Sequence, residues 1–217
     1  GGFSAYSFAS HDFNLSGKGY MDDAILWNNM NAVQDKETYS AGTSYSKKTK
    51  TSVYARLNYN WKSRYYLTVT GRYDGASNFA ANNKWAFFPS AALKWNISNE
   101  NFLKDCNWID DLSLRLSAGL TGNDAISTYR SLATLSSTTG GYLFDGSQPV
   151  AFYRSRLDSP DLTWEKTTVY NVAIDWSMFK GRLNITAEAY KSKTTDLLMS
   201  LAVAAQTGYT SRWTNIG

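Results

Sequence analysis

Leu112-Ser113-Leu114-Arg115-Leu116-Ser117-Ala118-Gly119-Leu120-Thr121 alternates without a slip. Leu112, Leu114, Leu116, Ala118 and Leu120 share one side, and Ser113, Arg115, Ser117, Gly119 and Thr121 share the other. Successive side chains of a strand point to opposite faces, so this pattern predicts a strand with one apolar and one wet face.

Working outward, the same signature recurs five times. Val53, Ala55, Leu57, Tyr59 and Trp61 alternate with Tyr54, Arg56, Asn58 and Asn60. Tyr65, Leu67, Val69, Gly71 and Tyr73 oppose Tyr66, Thr68, Thr70 and Arg72. Between Trp85 and Ile97, the residues Ala91, Leu93, Trp95 and Ile97 oppose Ser90, Ala92, Lys94 and Asn96. Tyr170, Val172, Ile174 and Trp176 oppose Asn171, Ala173, Asp175 and Ser177. Leu183, Ile185, Ala187 and Ala189 oppose Asn184, Thr186, Glu188 and Tyr190. The expected fold class is therefore all-β and antiparallel. Residues 1–50 carry Gly, Ser, Asn and Asp with no lasting period, and read as a loop region. Within them a short helix is expected from Asp23 to Val33, capped by Asp22. The strands and their loops occupy 51–217.

Alternation by itself also fits a soluble all-β binding or adhesion domain. Three features point instead to a transmembrane β-barrel. Connections alternate between short (Lys62-Arg64, Phe179-Gly181) and long (Gly122-Thr163, and after Asp196), as periplasmic turns and extracellular loops do. Trp61, Tyr65, Tyr66, Trp95, Trp176 and Phe179 gather at strand ends, where a barrel sets its aromatic girdles. The strands approach the roughly 9–11 residues that cross a bilayer at a tilt. Composition agrees: aromatic residues make up 15%, with 8 Trp and 15 Tyr. A mean hydropathy of −0.41 argues against a helical membrane protein. It is compatible with a barrel, whose inward positions are polar. On this reading 1–50 is an extracellular loop region.

The net charge is +4, without a basic run or stripe, so nucleic acid is not an expected partner. One cysteine, Cys106, and one histidine, His11, leave no disulfide framework or multi-residue metal site, and no cofactor is expected. The chain begins at Gly1 in a loop-like stretch and ends at Gly217 as a new extended segment starts, and reads as an internal fragment.

No catalytic set emerges, and the chain is not expected to be an enzyme. Asp110-Asp111 and Asp22-Asp23 are adjacent acids whose side chains diverge in extended chain. Asp175 and Glu188 fall on the wet faces of consecutive strands. A paired-carboxylate reading is weighed there against a hydrated wall, and the wall is preferred. The wet faces supply Arg56, Arg72, Lys94, Arg115, Asn171, Asp175 and Glu188 as lumen-facing candidates. The longest loop carries Tyr142, Phe144, Phe152 and Tyr153 with Arg154 and Arg156. Exposed rings there are candidates for stacking on a ligand. A loop of this length is usually functional or disordered.

Several strings together carry a specific resemblance. Arg72-Tyr73-Asp74-Gly75-Ala76-Ser77-Asn78-Phe79 resembles the R-x-D-G-S-S-x-F string of the SusC/RagA family of TonB-dependent outer-membrane transporters. Trp85-Ala86-Phe87-Phe88-Pro89-Ser90 is similar to its W-G-x-F-P-S, and Trp95 to Phe102 to its W-x-I-S-x-E-x-F. Leu112 to Asn123 resembles L-x-L-R-x-S-x-G-x-T-G-N. Pro160-Asp161-Leu162-Thr163-Trp164-Glu165, Asn171-Val172-Ala173-Ile174-Asp175 and Tyr190 to Leu198 follow in the family order. Ala76, Ala86 and Ala173 depart from its Ser, Gly and Gly. The resemblance implies a segment of about six strands from a barrel of about 22, with a plugged lumen. It also implies an outer-membrane location in a Gram-negative bacterium and import of oligosaccharides or peptides. A SusD-like surface lipoprotein and TonB are the implied partners, TonB acting through a missing N-terminal region. No substrate-binding residue is carried over.

Overall fold

A computed structural model describes residues 1–217 except 21, 23, 25–27, 104, 105, 107, 139–142 and 144. The described residues form eleven strands: β1 Gly2–Tyr20, β2 Val33–Trp61, β3 Tyr65–Ala76, β4 Trp85–Asn96, β5 Ile109–Asn123, β6 Thr134–Thr138, β7 Ala151–Arg156, β8 Glu165–Met178, β9 Leu183–Thr195, β10 Leu197–Ala202 and β11 Ser211–Ile216. A seven-stranded sheet runs in the order β1-β2-β3-β4-β5-β8-β9, with β6-β7 and β10-β11 as separate two-stranded ribbons. The chain divides into two compact units, Gly1–Tyr6 with Thr49–Gly217, and Ser7–Lys48.

In the larger unit, each of the six expected alternating segments is a strand. Register places their faces together: Leu57 pairs with Val69, Val69 with Ala91, Ala91 with Ala118, and Ala118 with Tyr170. The apolar side is a broad exposed face including Leu57, which is 65% exposed, Leu67, Leu93, Leu116, Val172, Ile174 and Ile185. Among the described residues, no layer of structure packs over this face as it would in a sandwich.

The two short turns force left-handed backbone. Lys62 and Ser63 have φ of 52° and 55°, and Arg64 N–H donates to the Trp61 carbonyl at 3.0 Å. A two-residue turn with positive φ at both central positions matches the right-handed twist of a hairpin. Non-glycine residues hold it here because Asn60 accepts from Ser63 N–H at 3.0 Å and Asn99 donates to the Ser63 carbonyl at 2.7 Å. Phe179 and Lys180, each with φ of 58°, and Gly181 make the second turn, and Asp110 accepts from Gly181 N–H at 2.9 Å.

At the opposite end of the strands a small buried cluster joins the long connections to the sheet. It contains Ala76, Phe79, Phe88, Ile126, Leu162 and Trp164, the last fully buried. Trp164 packs against Phe79 and Phe88 at ring separations of 4.9 and 5.3 Å, and its indole N–H donates to the Lys84 carbonyl at 3.0 Å. Asn78 reaches the carbonyls of Asp124 and Ile126 at 3.3 and 2.9 Å.

Three expectations are corrected. Most of residues 1–50 form strand, not loop, because β1 and β2 cover Gly2–Tyr20 and Val33–Trp61. In the smaller unit the pairs His11/Tyr45, Ser44/Asp12 and Lys18/Thr38 have positions that add to one total, the mark of antiparallel pairing. Its pairing sets Phe13, Leu15, Tyr39, Ala41 and Tyr45 on one exposed face, but His11, Gly17, Asp35 and Glu37 fall among them and blur the period. The helix expected at Asp23–Val33 lies in part, at 23 and 25–27, outside the described residues; its last part is a 3-10 turn, Met30–Ala32, capped by Asn29. The stretches 122–163 and 197–217, expected as loops, hold the β6-β7 and β10-β11 ribbons. These strands have five or six residues each, too few for alternation to stand out.

Candidate functional site

The polar face of the sheet collects the residues expected to face inward. Arg56 pairs with Thr70, Tyr54 with Arg72, Lys94 with Arg115, Ser117 with Asn171, Ser113 with Asp175 and Ala173 with Glu188. Antiparallel partners share a face, so Arg56, Arg72, Lys94, Arg115, Asn171, Asp175 and Glu188 lie on one side, opposite Leu57, Leu93, Leu116 and Val172.

Cross-strand contacts fix many of these side chains. Arg115 holds Asp175 with two parallel bonds, Nε to Oδ2 at 2.6 Å and Nη2 to Oδ1 at 3.1 Å, and Thr186 donates to the same carboxylate at 3.1 Å. Glu188 accepts from the Asn171 amide. The two carboxylates are thus each engaged by a different neighbour. Arg72 grips Asp74 through Nε at 2.7 and 2.8 Å and reaches Ser52 Oγ at 2.8 Å, with its guanidinium 5.9 Å from the Tyr54 ring centre. Arg56 Nε donates to Thr70 Oγ1 at 3.3 Å. The arrangement is a polar wall braced between strands, rich in fixed donors.

The apolar face carries aromatic residues at both ends. Near the short turns, Trp61, Tyr65 and Trp95 follow one another at ring separations of 5.7 and 6.1 Å, and Trp108 approaches Trp176 at 5.9 Å. Near the long connections Tyr73 stacks on Trp85 at 5.1 Å, beside exposed Phe87. Trp85 and Trp95 bracket β4 on one face, about 34 Å apart along the strand. A tilt of about 45° reduces that to about 24 Å, the height of a barrel's apolar band.

Sequence reasoning missed the braces that explain the motif strings. Glu100 accepts from Tyr65 Oη at 2.9 Å and Trp95 Nε1 at 3.2 Å, and pairs with Arg64 at 3.0 Å. Burial alone would raise the Glu100 carboxyl; the Tyr65 and Trp95 bonds and the Arg64 charge outweigh it and hold the group below the ordinary glutamate range. A Trp followed five residues later by Glu was the available signal. Lys50 likewise joins Asp124 at 3.3 Å and sits 5.2 Å from the Trp164 ring centre.

Of the loop aromatics, Phe152 and Tyr153 lie on β7, 73% and 52% exposed. Tyr142 and Phe144 lie outside the described residues.

Comparison with known proteins gives a consistent result. The family model described as TonB dependent receptor-like, beta-barrel, matches residues 2–217. TonB-dependent receptor P26 of Formosa agariphila is 37% identical over 199 residues, covering 92% of this chain and 20% of that protein. TonB-dependent receptor SusC of Bacteroides thetaiotaomicron is 39% identical over 180 residues, 81% of this chain and 18% of that protein. The structure of the RagAB peptide transporter superposes with a TM-score of 0.84 at 26% identity, covering 99% of this chain and 23% of that one. The chain therefore spans about a fifth of the length of the curated relatives it matches.

Proposed function

Since the chain belongs to the TonB-dependent receptor β-barrel family, as a SusC/RagA-like segment, we propose that it forms part of the barrel wall of an outer-membrane importer in a Gram-negative bacterium. The observation that carries this reading is the division of one sheet into an exposed apolar face with two aromatic bands and a polar face braced by Arg115–Asp175 and Arg72–Asp74. The apolar face meets lipid. Arg56, Arg72, Lys94, Arg115, Asn171, Asp175 and Glu188 line the lumen or touch a plug. The turns at Lys62 and Phe179 are periplasmic, and the β6-β7 and β10-β11 ribbons and residues 1–50 are extracellular. Phe152 and Tyr153, together with Tyr142 and Phe144, offer rings to a solute.

The whole protein imports oligosaccharides or peptides, with a SusD-like lipoprotein over the barrel and TonB acting on a segment outside this stretch. The likeness to SusC and to the RagAB peptide transporter supports that reading. The chain supplies conduit and binding surface, not catalysis. Deleting the full-length gene is expected to abolish uptake of a labelled oligosaccharide or peptide by the parent bacterium, and disrupting TonB to give the same loss. Uptake indifferent to both deletions for every solute tested would overturn the proposal.

A further inference from the structure

Two arginines at one end of the β6-β7 ribbon carry charge that no carboxylate among the described residues meets. Thr134 and Arg156 are register partners, and Ser159 N–H donates to the Ser131 carbonyl at 3.0 Å, so segment 130–134 runs beside 156–159. Arg130 therefore lies four positions from Thr134, the register partner of Arg156, with its charge within reach of the Arg156 guanidinium. Arg130 lies over Trp213 of β11, its guanidinium carbon 5.7 Å from the ring centre. Arg156 donates from Nη2 to Thr134 Oγ1 at 3.3 Å. Both Nε groups are buried without an acceptor. Burial and the charge of Arg130 both pull the Arg156 guanidinium below its ordinary value.

Other arginines have their donors engaged: Arg56 Nε donates to Thr70 Oγ1 at 3.3 Å and Arg212 Nε to the Asp158 carbonyl at 2.9 Å. Arg64, Arg72 and Arg115 each hold a carboxylate within 3.0 Å. Bringing two guanidiniums together, partly out of water and with unfilled donors, is unfavourable until an anion lies between them. The fork of a guanidinium matches a carboxylate in plane and spacing. The Trp213 face holds one fork in place through a cation–π contact, and the Thr134 hydroxyl fixes the other.

We propose that Arg130 and Arg156 form a receptor for a carboxylate group of the transported solute. This deepens the importer reading and rests on it. A peptide's terminal or side-chain carboxylate and the uronic acid of an oligosaccharide share that chemistry. Tyr153, which the register sets on the same face of the ribbon as Thr134 and Arg156, lies where the remainder of such a solute passes.

The test uses the full-length transporter purified with its lipoprotein. Binding is measured for a pentapeptide against its C-terminal amide, and for trigalacturonate against its methyl ester. The free acid of one pair is expected to bind at least tenfold tighter than its neutral twin. Arg130→Gln and Arg156→Gln should each remove that preference while leaving the affinity of the neutral twin unchanged, which also reports correct folding. The pair that discriminates identifies the source of the carboxylate. Twins that bind alike, or a preference that survives both substitutions, would overturn the proposal and leave the importer reading standing. So would variants that only loosen the lipoprotein or destabilise the barrel, which would assign the arginines to a carboxylate of the protein itself. If no member of either pair binds, the carboxylate proposal falls, and the importer reading is decided by the uptake test.

Discussion

Leu116 and Ser117 are neighbours in β5 that present opposite faces of the sheet, which makes them a direct test of facing. Leu116→Arg in the full-length protein is expected to cost about 2–4 kcal/mol, the penalty for a cation on the lipid side near the midplane. Ser117→Arg, on the polar side, should cost far less. Refolding into lipid vesicles under urea, followed by tryptophan fluorescence, separates the two, and equal losses would refute the facing. Glu100 gives a second prediction at this scale. Its folded-state carboxyl is held below the ordinary glutamate value, so its contribution is fully present above that value and is lost as pH falls through about 4.3 towards the lower folded value. Unfolding midpoints of the wild-type barrel should therefore fall relative to Glu100→Gln as the pH drops below about 5, with the gap constant at higher pH. A gap that does not change with pH would show that the carboxylate is not what braces the turn.

At the scale of elements, the long connections are tied to the sheet by the Trp164 cluster. Gly122 has no room for a side chain, since a Cβ there would overlap the Phe88 ring that packs on Trp164. Gly122→Val is expected to cost about 1–3 kcal/mol through overpacking. Because the overlap lies at the loop end, limited proteolysis should cut segment 124–164 faster in the variant while the strands stay protected. Unchanged cleavage would mean that the cluster does not hold the connection. The same cluster explains why the motif strings were legible before their roles were. Arg72 to Phe79 supplies a braced Arg–Asp pair and the buried Asn78 and Phe79, and Leu162 to Glu165 supplies the buried Leu162 and Trp164. Their spacing is set by contacts among residues as far apart as Lys84 and Trp164, which no local period reveals.

For the molecule as a whole, the seven-stranded sheet ends in β1 on one side and β9 on the other. Open backbone edges cannot be left in hydrocarbon. The 217-residue stretch alone is expected to aggregate or stay unfolded in detergent, and a monodisperse, folded species by gel filtration and circular dichroism would contradict this. By itself the sequence determined the six long alternating strands and their two faces, because each face meets a different medium and period two records that difference directly. It also determined the family, through strings whose residues make the braces at the strand ends. Tertiary structure alone decided the rest. Most of residues 1–50 became a ribbon whose apolar face, with Phe13, Leu15, Tyr39 and Tyr45, is interrupted by His11, Gly17, Asp35 and Glu37, so its period was broken in the sequence. Arg130 and Arg156, 26 positions apart in the chain, met only because segments 130–134 and 156–159 pair, and a charge without a partner can be recognised only once its neighbours are known.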